Sequence, residues 1–263
     1  MRESALIPEY SIRQCDTFAD FTQCIDLQRE VWNFADIDIT PLRALIITLN
    51  SGGFTLGAFD GPKLLGFAHT LAAIDSESEP YFYSHMLAVK PDLQNSGIGM
   101  HLKFAQREFA LRRNIPLMVW TFDPLQSRNA YLNIIKLGGV VRTYKPNYYG
   151  NFSSSTLHQG LDTDRLLVEW WLDDPRVAQI AESGTPAPSR SETIEAEVEV
   201  PFDLDRLKAQ DLDLAREWQR KIRDSFSHHL SRGLYCAGFS RGTDSVPSKY
   251  LFYKDPSPSV RKL

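Results

Sequence analysis

Residues 87–99 read Leu-Ala-Val-Lys-Pro-Asp-Leu-Gln-Asn-Ser-Gly-Ile-Gly. An apolar strand ends, a short loop carries two glycines, and an amphipathic helix follows at once, to about residue 114. This pattern binds anions. The first N–H groups of a helix have no acceptor within it and converge on one point, and the helix dipole adds positive potential there. Gly97 and Gly99 lack the Cβ that would hold a phosphate off the backbone. A pyrophosphate is the natural occupant.

Three loop types compete for this pattern. A P-loop ends in Gly-Lys-Ser/Thr, and Met100-His101 supplies neither residue. The dinucleotide fingerprint needs a third glycine, where this chain has Leu102, and it belongs to a βαβ unit, whereas the preceding strands read as a meander. The third pattern, Gln/Arg-x-x-Gly-x-Gly/Ala, is met in full by Gln94, Gly97 and Gly99.

Holding such a loop requires a strand before it and packed elements around it. Residues 11–15 read as a strand, with Asp16 or Thr17 as the cap of a helix over 18–32. Thr40-Pro41 starts a second helix that stops at Ser51-Gly52-Gly53. Strands follow over 54–59, 64–74 and 81–89, the first two joined by Asp60-Gly61-Pro62-Lys63. Beyond the motif helix come a strand over 117–122, a helix over 127–137 ending at Gly138-Gly139, and strands over 140–144 and 165–172. Residues 173–195 are rich in Ala, Ser, Pro and Glu and read as a linker or extended arm. Past it, a strand over 197–200, one long helix over 204–230 and strands over 235–240 and 249–253 complete a small α/β extension, residues 196–263. The long helix packs on the main domain or forms a homodimer contact.

The Gln94-x-x-Gly97-x-Gly99 signature, the order β-α-α-β-β-β-motif-α-β-α-β-β, the Leu87-Ala88-Val89 strand before a proline, and the Leu137-Gly138-Gly139 ending together resemble the GNAT (Gcn5-related N-acetyltransferase) superfamily over residues 11–172. The Tyr149-Gly150 element and the later Asp164-Arg165 pair resemble a little-characterised group of predicted GNAT acyltransferases. The resemblance implies a mixed α/β GNAT domain over residues 1–172. It also implies acetyl-CoA, or another short acyl-CoA such as succinyl-CoA, as donor, an amine as acceptor, and no metal. The N–H groups of Gln94, Asn95, Ser96, Gly97, Ile98 and Gly99 are expected to bind the CoA pyrophosphate. The main chain of Leu87, Ala88 and Val89 is expected to pair with the pantetheine arm and polarise the thioester carbonyl, and Asn129 to reach the arm from the other side.

The reaction so implied is direct attack of the amine on the thioester, which needs a general base. His85 lies two residues before Leu87, on the same face if the strand alternates regularly. It is either that base or a strand histidine bonded for structure. Many members of the family carry a tyrosine acid where this chain has Ile134, and Tyr131 lies one turn earlier on the same face. Arg165 suits a carboxylate held in a fork, with Asp164 orienting it or meeting an amine, and Tyr144 and Tyr149 framing the loop. That set fits an amino acid; a surface ion pair closing a hairpin is the alternative. A CoA-binding module without catalysis and a protein acyltransferase are the rival readings.

Composition sets the outer limits. The 263 residues are 43% hydrophobic and 24% charged, with a net charge of −4, so no overall basic field draws nucleic acid or anionic lipid. Three cysteines at unrelated spacings form neither a disulfide framework nor a metal motif. Residues 1–15 show no signal-like apolar run, and no stretch approaches the roughly 20 apolar residues of a membrane span. A cytoplasmic protein without membrane contact is expected. His228 and His229 are adjacent on a helix, face different ways and make poor metal ligands.

Overall fold

Thr17 caps the first helix in both directions: its hydroxyl accepts from the Asp20 N–H at 3.1 Å, and the Asp20 carboxylate accepts from the Thr17 N–H at 3.4 Å. Asp20 also binds Arg13 at 2.7 and 2.9 Å, which ties strand β1 (Ser11–Gln14) to helix α1 (Phe18–Trp32) and lowers the Asp20 carboxyl to about 2. The computed structural model describes residues 9–150 and 160–256, which fall into two compact units, 9–118 and 119–256.

In the first unit four antiparallel strands lie in the order β1-β2-β3-β4, with β2 (Phe54–Asp60), β3 (Lys63–Ile74) and β4 (Pro80–Val89). Helices α1 and α2 (Leu42–Asn50) cover one face, where Phe21, Cys24, Leu27 and Leu45 bury against Met86 and Ala88 of β4. Helix α3 (Ile98–Leu111) covers the other, and its Lys103 and Gln106 reach Ser84 of β4. Ser84 and Met86 are two residues apart yet face opposite sides. The reason is a bulge: Thr70 pairs with Ser84 and His69 with Met86, so His85 is the extra residue.

The second unit takes up the chain within β5 (Leu117–Phe122) and continues through a short α4 (Ser127–Ala130), β6 (Val140–Lys145) and β7 (Arg165–Trp171). Then come α5 (Pro175–Ser183), β8 (Ala196–Val200), α6 (Leu204–Gln210), α7 (Leu212–Ser231), β9 (Leu234–Ser240) and β10 (Ser248–Lys254). Its strand order is β5-β7-β6-β9-β10-β8, and β9 meets β6 at Cys236 and Val141, so the C-terminal strands enlarge one sheet. Phe226 of α7 packs against Tyr250 and Phe252 beneath them.

Three local expectations change. The helix over 127–137 is α-helical only to Ala130; Tyr131–Lys136 is a π-helix, with Leu137 N–H reaching back to Leu132 O at 3.0 Å. The expected long helix over 204–230 breaks at Asp211, whose extended backbone ends α6 and whose side chain caps Leu214 N–H at 2.9 Å. Within the expected arm, Asp174 caps α5, with Pro175 at its first position and Gly184 left-handed at its end.

Candidate active site

Strand β4 delivers its backbone into a loop where Asn95 and Gly97 both take left-handed φ angles, 68° and 97°. Gly97 is the cap residue of α3. Among the described residues no acceptor meets the N–H of Asn95, Gly97, Ile98 or Gly99, while Met100 and His101 already bond back to Gly97 O. A Cβ at Gly97 would meet nothing within 4 Å, and one at Gly99 only Val89 and Leu87 side chains at 3.7 and 3.8 Å. Neither glycine is required by the protein's own packing at that point. Ser96 Oγ is buried without a partner. Free donors, an orphan hydroxyl and open space above two glycines are what a pyrophosphate requires. The side chain of Gln94 turns away and donates to Val89 O at 3.4 Å, so at this position only the backbone N–H is left for an anion.

The bulge decides where His85 points. Leu87 lies on the α3 side, close to Gly99, whereas the His85 ring lies 5.9 Å from that of His69, whose imidazole touches Thr48 of α2 at 3.5 Å. His85 and Leu87 therefore occupy opposite faces, contrary to regular alternation. His85 is exposed, yet the protein packed around it still desolvates the imidazole and lowers its pKa below 6.5. The neutral imidazole is thereby favoured. Behind it, His69 is fully buried between Thr55 Oγ1 at 2.8 Å and Thr48; burial first, then His85, push its pKa down to about 3.

In the second unit, Asn129 is exposed on α4 and Tyr131 opens the π-helix, half-buried, with the Arg241 guanidinium 5.9 Å above its ring. Ile134 is a core residue at 1% exposure, so a tyrosine there would have to displace packed atoms. Tyr149 hydrogen-bonds Thr121 at 3.2 Å and carries the Arg165 guanidinium 5.2 Å over its ring. Just past the end of β5, Asp123 accepts the Leu125 N–H at 2.8 Å. Burial raises its pKa, against the opposing pull of that N–H and of Arg165 and Lys208.

Asp164 takes another role than expected. Its side chain is wholly buried, and Arg223 of α7 grips it with bonds of 2.6 and 2.9 Å, while Tyr144 donates to it at 2.5 Å and Asn147 N–H at 2.9 Å. Both oxygens are already occupied by these donors, so Asp164 is not open to an amine. Tyr144, its phenol pKa raised by burial and by Asp164, belongs to the same buried network. The sequence reading missed His69, Lys103, Gln106, Asp123 and Arg223. Only Asp123, at a strand end before Pro124, left a local trace.

No protein-family model and no curated protein matches the chain in sequence. Among solved structures, a protein from Desulfovibrio desulfuricans described as a GNAT-family acetyltransferase superposes with a TM-score of 0.50 at 14% identity, covering 62% of this chain and 99% of that one. The ribosomal-protein-S18-alanine N-acetyltransferase of Escherichia coli gives 0.49 at 14% identity, over 72% and 100%. A GNAT acetyltransferase from Elizabethkingia anophelis, solved with acetyl-CoA bound, gives 0.46 at 18%, over 62% and 97%. The chain has the mixed α/β fold of the GNAT acetyltransferases.

Proposed function

We propose that the protein is an N-acyltransferase that moves an acetyl group, or another short acyl group such as succinyl, from coenzyme A to the amine of a small molecule, with an amino acid as the acceptor class. The observation that carries this reading is the cradle at residues 94–99, with the free N–H groups of Asn95, Gly97, Ile98 and Gly99 and the open space above Gly97; the Ser96 N–H is taken by Leu93 O at 3.3 Å. The acyl-CoA brings the activated carbonyl. The chain's backbone at residues 94–99 holds the pyrophosphate, and main-chain groups of residues 87–89 bind the arm.

His85, neutral and exposed, takes the proton from the attacking ammonium. The neutral amine then attacks and the C–N bond forms; as the C–S bond breaks, the second proton leaves the nitrogen and passes through water or Tyr131 to the departing thiolate. Arg165 over Tyr149 offers a planar fork to an acceptor carboxylate, and the half-buried Asp123 offers a carboxylate to an ammonium.

The test is a thermal shift with CoA, acetyl-CoA, succinyl-CoA and NAD in parallel. A ligand that binds only the folded chain stabilises it by roughly 2.7 kcal/mol at a hundredfold excess over its Kd. Selective stabilisation by one acyl-CoA names the donor. A shift with NAD alone, or with none of them, sinks the proposal.

A further inference from the structure

The bulge in β4 is gripped from both faces by buried polar side chains that the reaction outlined above does not use. On the α3 face, Ser84 is the node. Lys103 Nζ donates to its Oγ at 2.8 Å and Gln106 Nε2 at 3.1 Å, and the hydroxyl faces Gln106 Oε1 at 3.3 Å. Gln106 also donates to Thr70 Oγ1 at 2.6 Å, and Thr70 is the β3 residue paired with Ser84. On the α2 face, His69 is pinned by Thr55 at 2.8 Å and Thr48 at 3.5 Å and stands beside His85.

Thr70, Ser84, Lys103, Gln106 and His69 are all almost completely buried. Burying so many polar groups in one place is costly, and an apolar core of the same shape would be at least as stable. What such networks do well is impose one geometry. This one straddles the single register slip between β3 and β4, at the residue that slip pushes out.

We propose that Ser84, Gln106 and Lys103 on one face and His69 on the other are positioning residues, a two-sided brace that holds the β4 bulge and so aims the His85 imidazole at the acceptor amine. The proposal rests on His85 being the proton acceptor. A strand slipped back into register would return His85 to the plain alternation of β4 and swing its ring away. Ser84 fixes the last regular pair before the slip and His69 the first pair after it. Neither touches the reacting atoms.

The test is a double-mutant cycle on kcat, measured with acetyl-CoA and succinyl-CoA against a mixture of the standard amino acids. Ser84→Ala is expected to lower kcat by about tenfold to a hundredfold, the cost of a misplaced catalytic group, with KM for the acyl-CoA unchanged. Ser84→Thr, which keeps the hydroxyl, restores most of it. In a His85→Ala background, Ser84→Ala has no further effect.

If His85→Ala is slow and Ser84→Ala is silent, or the two effects multiply, the brace is refuted and the base reading stands. If His85→Ala is itself silent, the base reading fails and the brace falls with it. If none of the acceptors turns over, the imidazole resonances decide: Ser84→Ala and Gln106→Met must move the His85 signals and leave those of His228 in place. Unmoved His85 signals refute the brace.

Discussion

His69 and His85 stand with ring centroids 5.9 Å apart at the one point where the ladder between β3 and β4 slips, one imidazole buried and the other exposed. Two histidines this close cannot both carry charge cheaply, and burial already favours the neutral form of each. The pair is built to stay uncharged.

Its first consequence is kinetic. Because the folded pKa of His85 lies below 6.5, the acid limb of the kcat/KM profile, which reports the free enzyme, should have its midpoint below that value. His85→Ala should lower kcat by about 10²- to 10⁴-fold and leave the KM for acyl-CoA near its wild-type value. Steady-state kinetics across pH checks this, and an unchanged profile in the variant would return His85 to a structural role.

Its second consequence is thermodynamic. His69 titrates near 6.5 when unfolded and at about 3 when folded, so below 6.5 the unfolded chain binds the extra proton. Stability from this group is complete above pH 6.5 and is lost progressively as pH falls toward about 3, on the order of a few kcal/mol in all. Denaturant unfolding at several pH values should show a shallower acid loss in His69→Gln than in the wild type. Parallel curves would contradict the assignment.

At the cradle, Gly97→Asp places a carboxylate where a phosphate would sit and forces a side chain onto a φ of 97°. The unliganded protein should lose about 1–3 kcal/mol from the backbone alone. Stabilisation by CoA in a thermal shift should vanish. Normal CoA binding by this variant would mean the anion site lies elsewhere.

The Asp164–Arg223 pair yields a stability prediction. Asp164→Ala leaves the Tyr144 hydroxyl and the Asn147 N–H without their acceptor and leaves Arg223 with Asp162 alone, at 2.6 Å, and should cost about 2–3 kcal/mol in urea unfolding. A loss under about 1 kcal/mol would show that the network contributes little.

Arg165→Gln should raise KM for an acceptor bearing a carboxylate by about tenfold or more while KM for acyl-CoA holds. Equal sensitivity of an acceptor without a carboxylate would remove Arg165 from recognition.

Local chemistry made much of this legible from the sequence. Asp16 or Thr17 marks the start of α1, where the structure uses Thr17, and Gln94, Gly97 and Gly99 mark the candidate cradle within six residues. Events that depend on distant partners left no such mark. The slip at His85 changes no residue type, and it shows only when Thr70 and His69 are matched across the ladder. Arg223 lies 59 positions from Asp164, so nothing near Asp164 announces that its carboxylate is taken. The wider turn at Tyr131–Lys136 is likewise invisible, because its composition suits either helix type.

Where β9 lies against β6, this chain supplies its own neighbour to a strand that would otherwise end the sheet. A rim of unpaired backbone donors and acceptors is a template on which a second molecule can add. Folding residues 196–256 back onto that rim covers it with β9. A version cut short before Ala196 would bare the edge of β6 and is expected to associate edge to edge.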